Sequence, residues 1–363
     1  MTTPPMQSLW LRCETKPFEH RAALTPSTAK ALIQAGFKIT VERDPQRIFD
    51  DEEYEKVGCT LAEHSSWVDA PLDTPIIGLK ELPVSTMPLK HTHIQFAHCY
   101  KHQGGWREVL MRFYEGKGTL YDLEFLQDEN GRRVAAFGYH AGFAGAAVGA
   151  LSWSKNGKIT NLEPYENETA MIAAVKSAIA GVPPKVMVMG ALGRCGRGAV
   201  DLFKAAGIPD ENILKWDMAE TAKGGPFEEI LDVDVFINCI YLSSKIPPFV
   251  TLDQIYAAGP KRRLACIVDV SCDTTNPNNP LPVYTVNTDF REPILLVPTG
   301  EGNSPLQVCS IDHLPTLLPR EASEQFSRDL LPSLKQLPNR HEARVWKEAE
   351  ALFREKVAEA LAN

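Results

Sequence analysis

The chain has 363 residues, 44% apolar and 23% charged, the composition of a soluble globular protein long enough for two cores. A net charge of −8 argues against nucleic acid or an anionic membrane as partner, and no apolar run reaches the roughly 18 residues of a membrane span. Eight cysteines, at 13, 59, 99, 195, 239, 266, 272 and 309, are scattered without a C-x-x-C, which suits a reducing compartment and excludes a disulfide framework or a zinc site.

In chain order, residues 8–13 read as a short strand. Thr25 and Pro26 place a capping hydroxyl before a proline at the first helical position, opening a helix that runs to Gly36. Residues 37–42 alternate with period two, as a strand does, and 50–57 read as a helix. Two short apolar strands, 76–80 and 93–98, end on the polar residues Lys80 and His98. A helix over 104–116 carries Trp106, Val109, Leu110 and Phe113 along one face, and a strand follows over 120–126. Residues 141–153 form a helix of small residues, expected to approach its neighbour closely and to act as a hinge. Residues 155–168 read as a polar loop and 169–180 as an amphipathic helix. Later strands are expected at 212–217, 234–241, 263–270, 283–286 and 294–298, so that strand and helix alternate and the sheets should be parallel. A helical region starts at 311–318, and Ser323 is expected to cap a helix over 324–331. A last helix, 343–361, should bury Trp346, Leu352, Phe353, Val357 and Leu361 and pack back on the first part of the chain.

The stretch that organises the second half begins with the apolar run Val186, Met187, Val188 and Met189, which stops at Gly190. Gly193 and Gly196 follow at intervals of three, and Ala199, Val200, Leu202, Phe203 and Ala206 then recur at helical spacing. Strand, glycine turn and helix in that order present a helix N-terminus to a dinucleotide pyrophosphate. The spacing G-x-x-G-x-x-G departs from the usual G-x-G-x-x-G, so a tight turn without a ligand stays open as the second reading. Asp217, at the end of the next strand, either accepts from the adenine ribose hydroxyls or caps the following helix. An acid there without an arginine beside it favours NAD over NADP.

Lys80 becomes a base only if burial or a neighbouring cation lowers its pKa, whereas His98 titrates near neutrality unaided. Together they suit a dehydrogenase whose substrate nitrogen loses a proton as hydride leaves. Taken singly, each also reads as an ordinary surface lysine or strand-end histidine. His91, His93, His98 and His102 lack a carboxylate or cysteine at zinc spacing, so no metal is expected. Arg21, Lys101, Arg132 and Arg133 fall in loops, where they either clamp carboxylates or are simply solvated.

Several motifs carry a family resemblance: Gly78 to Glu81, His93 to Lys101, Gly190 to Gly196, Leu214 to Asp217, Phe236 to Tyr241, Val268 to Ser271 and Ser310 to Pro315. Across about 11–346 the chain resembles the fungal lysine-forming saccharopine dehydrogenases. Its opening, Lys16, Arg21 and Ala22 to Pro26, is also similar to alanine dehydrogenase and the transhydrogenase dinucleotide subunit. The insert at 155–168 and the end after Trp346 diverge. The resemblance implies an α/β chain of two Rossmann-like domains with parallel sheets and an active-site cleft between them. Residues 1–138 with 319–363 would form the substrate domain and 139–318 the dinucleotide domain.

It also implies the reaction: saccharopine, NAD and water give lysine, 2-oxoglutarate and NADH. By that carry-over Lys80 is the base and His98 the acid and base of imine hydrolysis, with Glu81 and Glu124 tuning their charge. Arg21, Lys101, Gln103, Ser271, Cys272 and Asp273 would hold substrate. The NAD residues would be Arg132, Gly193, Arg194, Asp217, Thr221, Tyr241, Val270, Ile311, Asp312, His313 and Leu314. Partners would be small molecules only, with no nucleic acid or membrane, and the chain a monomer. An alanine-type dehydrogenase fits the 93–101 motif poorly, and a non-catalytic dinucleotide-binding regulator would have little need of both Lys80 and His98. Cys195, among the glycines, and Cys239, ending a neighbouring strand, admit a disulfide that would crowd the cofactor, or two free thiols. The expected location is cytoplasmic: residues 1–11 lack a secretory plan and the last tripeptide is not of the S-K-L type.

Overall fold

The computed structural model describes residues 7–274 and 276–362. The chain divides into two compact units, Met1–Ala136 with Pro319–Asn363, and Phe137–Leu318.

The first unit opens with β1 (Gln7–Leu11), α1 (Pro26–Gln34), β2 (Phe37–Glu42), α2 (Asp51–Lys56) and β3 (Thr60–Ala62). It continues with β4 (Ile76–Ile77), β5 (Thr92–Gln95), α3 (Trp106–Gly116) and β6 (Thr119–Asp122). α1 starts where its capping residues dictate: Thr25 Oγ1 accepts from Thr28 N, Thr28 Oγ1 accepts from Thr25 N, and Pro26 occupies the first turn. The sheet is parallel throughout, in the order β3-β2-β1-β4-β5-β6. β1 therefore has β2 on one side and β4 on the other, and the crevice beyond their carboxyl ends is where an open α/β sheet places a ligand. The two central strands are shorter than expected. β4 stops at Ile77 and β5 at Gln95, so Lys80 and His98 stand on loops past the strand ends. His98 takes a left-handed conformation there, φ 48°.

The second unit holds α4 (Gly138–Ser154), α5 (Glu168–Ala178), β7 (Val186–Met189), α6 (Arg194–Ala205), β8 (Ile213–Trp216) and α7 (Met218–Thr221). Then come β9 (Val235–Asn238), α8 (Leu252–Ala258), β10 (Cys266–Asp269), β11 (Leu295–Val297) and β12 (Leu306–Cys309). Its sheet runs β11-β12-β10-β9-β7-β8, and β7 occupies the reversal point that β1 holds in the first unit. One edge departs from the expected all-parallel plan: β11 pairs antiparallel with β12. No strand forms over 283–286, because Val283 and Tyr284 reach the core from a turn. Residues 311–318 give only a 3-10 turn, Leu314–Leu317.

α4 is buried on every side, which is why it carries no amphipathic pattern. It packs within the second unit. A Cβ at Gly142 would lie 1.9 Å from the Cys195 carbonyl oxygen, and one at Gly198 2.0 Å from that of Tyr139, so α4 and α6 touch backbone to backbone. Gly142→Ala should therefore cost about 3 kcal/mol and lower the melting temperature. Gly104→Ala, with nothing near its Cβ position, should leave it in place. Calorimetry of the two variants checks this.

The C-terminal helices α9 (Pro319–Leu334) and α10 (Arg344–Ala362) belong to the first unit. α9 begins at Pro319, ahead of the expected cap. Ser323 lies inside it, its hydroxyl donating to Pro319 O (2.6 Å) and accepting from Ala22 N (2.9 Å). α10 buries Trp346 and Phe353 against β6 and α3, but Leu361 is half exposed on a groove.

Candidate active site

In the first unit the site is built from four loops at one end of the sheet. Lys80 follows β4 and is buried. Burial first, and then the positive charges of Lys16 and Arg21, hold its amine below the ordinary lysine range against Glu19 and Glu81. His98 hydrogen-bonds through Nδ1 to Glu81 Oε1. Burial pushes the Glu81 carboxyl up, but that hydrogen bond, the His98 charge and the Lys80 charge outweigh it and bring it down to about 2.

The loop after β5 is fixed by Asp122 at the end of β6. This buried carboxylate accepts from Ala97 N (3.2 Å) and Glu124 N (2.9 Å), and burial pushes it up to about 6. Glu124 in turn receives Lys101 Nζ (2.7 Å) and Arg133 (3.0 Å). Burial raises this carboxyl too, and the bond from Lys101 with the charges of Lys101, Arg133 and His98 brings it down. Gln103 Oε1 accepts from Lys101 N, and Arg21 meets Glu19 through two bonds of 2.7 and 2.6 Å. Arg132 is exposed on the turn after β6, its backbone N–H donating to Asp128 Oδ1. A cavity of about 540 Å³ opens beside His98, Glu81 and Gln103 and runs between Leu82 and Arg112.

In the second unit the glycine turn follows β7. Gly190 is left-handed, φ 84°, and a Cβ on Gly196 would sit 2.1 Å from Gly190 O, so both positions exclude a side chain. Gly193 precedes α6 without a side-chain cap, and Arg194 is the first helical residue. Asp217 is the N-cap of α7: Oδ1 accepts from Met218 N, and Oδ2 from Leu192 N of the glycine turn (3.0 Å). Thr221 Oγ1 donates to Asp217 O.

Past β9 and β10, Asp269 is buried and accepts from Tyr284 (2.7 Å) and Asn238 (2.9 Å), tying together the loops that carry Tyr241, Val270, Ser271, Cys272 and Asp273. Asp269→Ala strands two buried donors and should cost about 2–4 kcal/mol, measured by urea unfolding. Tyr241 is half exposed, its hydroxyl 3.4 Å from Asp273 Oδ2. Ile311 and Leu314 are buried on either side of Asp312 and His313, which share a hydrogen bond between Oδ1 and Nδ1 (2.5 Å). Cys195 and Cys239 are free thiols. Burial first, then a hydrogen bond with Cys195, raises the Cys239 thiol. Among the described residues no group of three or more His, Cys, Asp or Glu could hold a metal ion.

A family profile described as alanine dehydrogenase/PNT, N-terminal domain, matches residues 10–144. The saccharopine dehydrogenase [NAD(+), L-lysine-forming] of Yarrowia lipolytica is 58% identical over 365 residues, covering 97% of this chain and 98% of its own. That of Neurospora crassa is 58% identical over 360 residues, covering 96% of each. The chain belongs to the L-lysine-forming saccharopine dehydrogenase family. Solved structures of an L-alanine dehydrogenase (TM-score 0.68, 19% identity, covering 96% of this chain and 94% of the other) and of the transhydrogenase from Sinorhizobium meliloti (0.63, 16%, 91% and 94%) share its fold.

In this saccharopine dehydrogenase family member, the structure brings Lys80, Glu81, His98, Lys101, Gln103 and Glu124 together in the first unit and gathers Gly193, Arg194, Asp217 and Thr221 in the second. Sequence reading missed Arg12, Glu14, Gln95 and Asp122, all buried at the same end of the first sheet. The available signal was a charge on either side of Cys13 at the end of an apolar strand, where solvation alone would not place it.

Proposed function

We propose that this chain oxidises L-saccharopine with NAD and water to L-lysine, 2-oxoglutarate and NADH. The observation that carries the reading is the pairing of a buried, pKa-depressed Lys80 with a His98 braced by Glu81, in a chain of this family. The second unit fits a dinucleotide: a turn that requires glycine at 190 and 196 leads to a helix start with no side-chain cap. Bound there, NAD would supply the acceptor for the hydride that leaves the carbon next to the secondary amine. Gly193, Arg194, Asp217, Thr221, Tyr241, Val270 and Ile311 to Leu314 are the residues we assign to holding it, with Arg132 added from the first unit. Asp217 spends one lone pair of each oxygen on Leu192 and Met218, which leaves acceptor capacity for ribose hydroxyls.

Lys80, neutral in its buried position, takes the amine proton as the hydride departs. Water then adds to the resulting imine carbon. Glu81 engages His98 at Nδ1, so Nε2 takes the first proton of the adding water and passes it to the imine nitrogen. It then takes the carbinolamine hydroxyl proton and gives it to the same nitrogen, which leaves as the amine while the C–N bond breaks and the carbonyl forms. Arg21, Lys101 and Gln103, with Ser271, Cys272 and Asp273, are assigned to the carboxylates and polar ends of the substrate. The scattered free cysteines support a cytoplasmic location, and we take the working form to be a monomer, which light scattering checks. No helix among the described residues is long and apolar enough to cross a membrane. Mass spectrometry of a reaction with NAD and saccharopine should find lysine and 2-oxoglutarate in equal amounts; an absence of lysine would overturn the reading.

A further inference from the structure

We propose that Arg12 and Glu14 form a two-sided clamp on the Leu79–Lys80–Glu81 backbone and act as positioning residues for the Lys80 amine; this rests on the role for Lys80 proposed above. The need for a clamp follows from the sheet. β1 pairs with β4 only through Trp10↔Ile76 and Leu11↔Ile77, with Arg12 N donating to Ile77 O, and the regular ladder then ends. Past that point Gly78 N reaches Ile94 O and Phe96 N reaches Leu79 O, both on the β5 side. On the β1 side the Leu79 and Lys80 amides would be left without partners in a buried place, which costs about 1–3 kcal/mol each.

Side chains take over where the ladder stops. Glu14 Oε1 accepts from Leu79 N (2.6 Å) and Oε2 from Lys80 N (2.9 Å). An Arg12 terminal nitrogen donates to Lys80 O and to Gln95 Oε1 (3.3 Å), and its partner nitrogen to Cys13 O (2.9 Å) and Glu14 Oε2 (3.4 Å). The two peptide groups that flank Lys80 are thus gripped, the N–H of one by the carboxylate and the carbonyl of the other by the guanidinium. Both clamp residues are buried, 2% and 5% exposed, so solvent cannot substitute for either. Glu14 is itself anchored, its backbone N–H donating to Asp44 Oδ2 (2.9 Å). Gly78 completes the fit: a Cβ there would lie 2.4 Å from Arg12 Nε, so only glycine lets the guanidinium lie across the strand end.

The amine is kept dry only while its backbone stays in place. Around it stand Lys16, Glu19 and Arg21 from the turn after β1, and Glu81 from its own loop. Desolvation is the largest of the influences that lower its pKa, so a loosened loop lets water reach the amine and returns that pKa towards the ordinary lysine value. Lys80 works as a base only when neutral. The limb of kcat/KM that rises with pH should therefore move to higher pH when the clamp is opened.

The experiment measures pH profiles of NADH formation from saccharopine for the wild type, Glu14→Gln and Gly78→Ala, with NAD affinity and melting temperature recorded beside them. Glu14→Gln keeps the shape but turns one acceptor into a donor facing an amide; Gly78→Ala pushes the guanidinium aside and leaves both charges in place. We expect kcat at neutral pH to fall about tenfold or more, the limb to rise by about half a pH unit or more, and NAD affinity to stay within about twofold. A lower melting temperature with kcat and limb unmoved would overturn the clamp. Should Glu14→Gln fail to fold, Gly78→Ala decides by the same readouts, and should both fail, Arg12→Lys, which keeps the charge but offers a single donor group, does so. A wild type that forms no NADH from saccharopine would instead defeat the function proposed above, and the two failures are distinguishable.

Discussion

Lys80→Met should lower kcat for NADH formation from saccharopine about 100- to 10,000-fold while NAD still binds with wild-type affinity. Methionine fills the same buried volume without an amine, so the fold loses nothing; ending the burial of a lysine amine should hold or raise the melting temperature. The loss falls on the chemical step because the substrate nitrogen can shed its proton only to a neutral base as hydride leaves. An amine below the ordinary lysine range provides that base, and the direction of its shift fixes the pH behaviour. Wild-type activity should rise with pH through the Lys80 pKa, and that limb should be absent from whatever activity Lys80→Met retains. Stopped-flow absorbance gives the rate, and titration of protein fluorescence with NAD gives the affinity. Loss of NAD binding would instead assign Lys80 to the cofactor.

His98→Gln should be comparably severe in steady state, about 100-fold or more, yet different in its first turnover. His98 acts after hydride transfer, when water adds to the imine and the carbinolamine breaks. A rapid burst of NADH, up to one per active site, should therefore survive in His98→Gln and vanish in Lys80→Met. The substitution also frees Glu81. With His98 gone the main influence lowering that carboxyl is lost, and burial moves its pKa up from about 2. A burst absent from His98→Gln would place His98 at or before the hydride step.

Much of this was legible in the sequence because some residue patterns answer to a single physical demand. Thr25 and Pro26 can hardly do otherwise than start a helix, Gly190 takes a left-handed φ, and a Cβ at Gly196 would collide with Gly190 O. The alternation of 37–42 gave a strand with the bounds the structure has. What stayed hidden depends on partners distant in sequence. Glu14 stands just past the expected 8–13 strand and shows no role until Leu79 and Lys80 are seen to lack ladder partners, 65 and 66 residues away. Asp122 ends an apolar strand, and only its bonds to Ala97 and Glu124 explain its burial. Asp217 kept two readings in the sequence; the structure makes it a helix cap that also secures the glycine turn. β3 and β12 escaped because three or four residues carry too little periodicity to announce a strand; β11 was expected as a strand over 294–298, but its antiparallel pairing leaves no mark in so short a run. The saccharopine reading itself came from motif resemblance, since no single side chain encodes which secondary amine is bound.

The most direct test follows near-ultraviolet absorbance of the purified protein with NAD, supplied in parallel with saccharopine and with alanine. Saccharopine should give a steady rise of NADH and alanine none beyond background. NADH from alanine but not from saccharopine would contradict the proposed function.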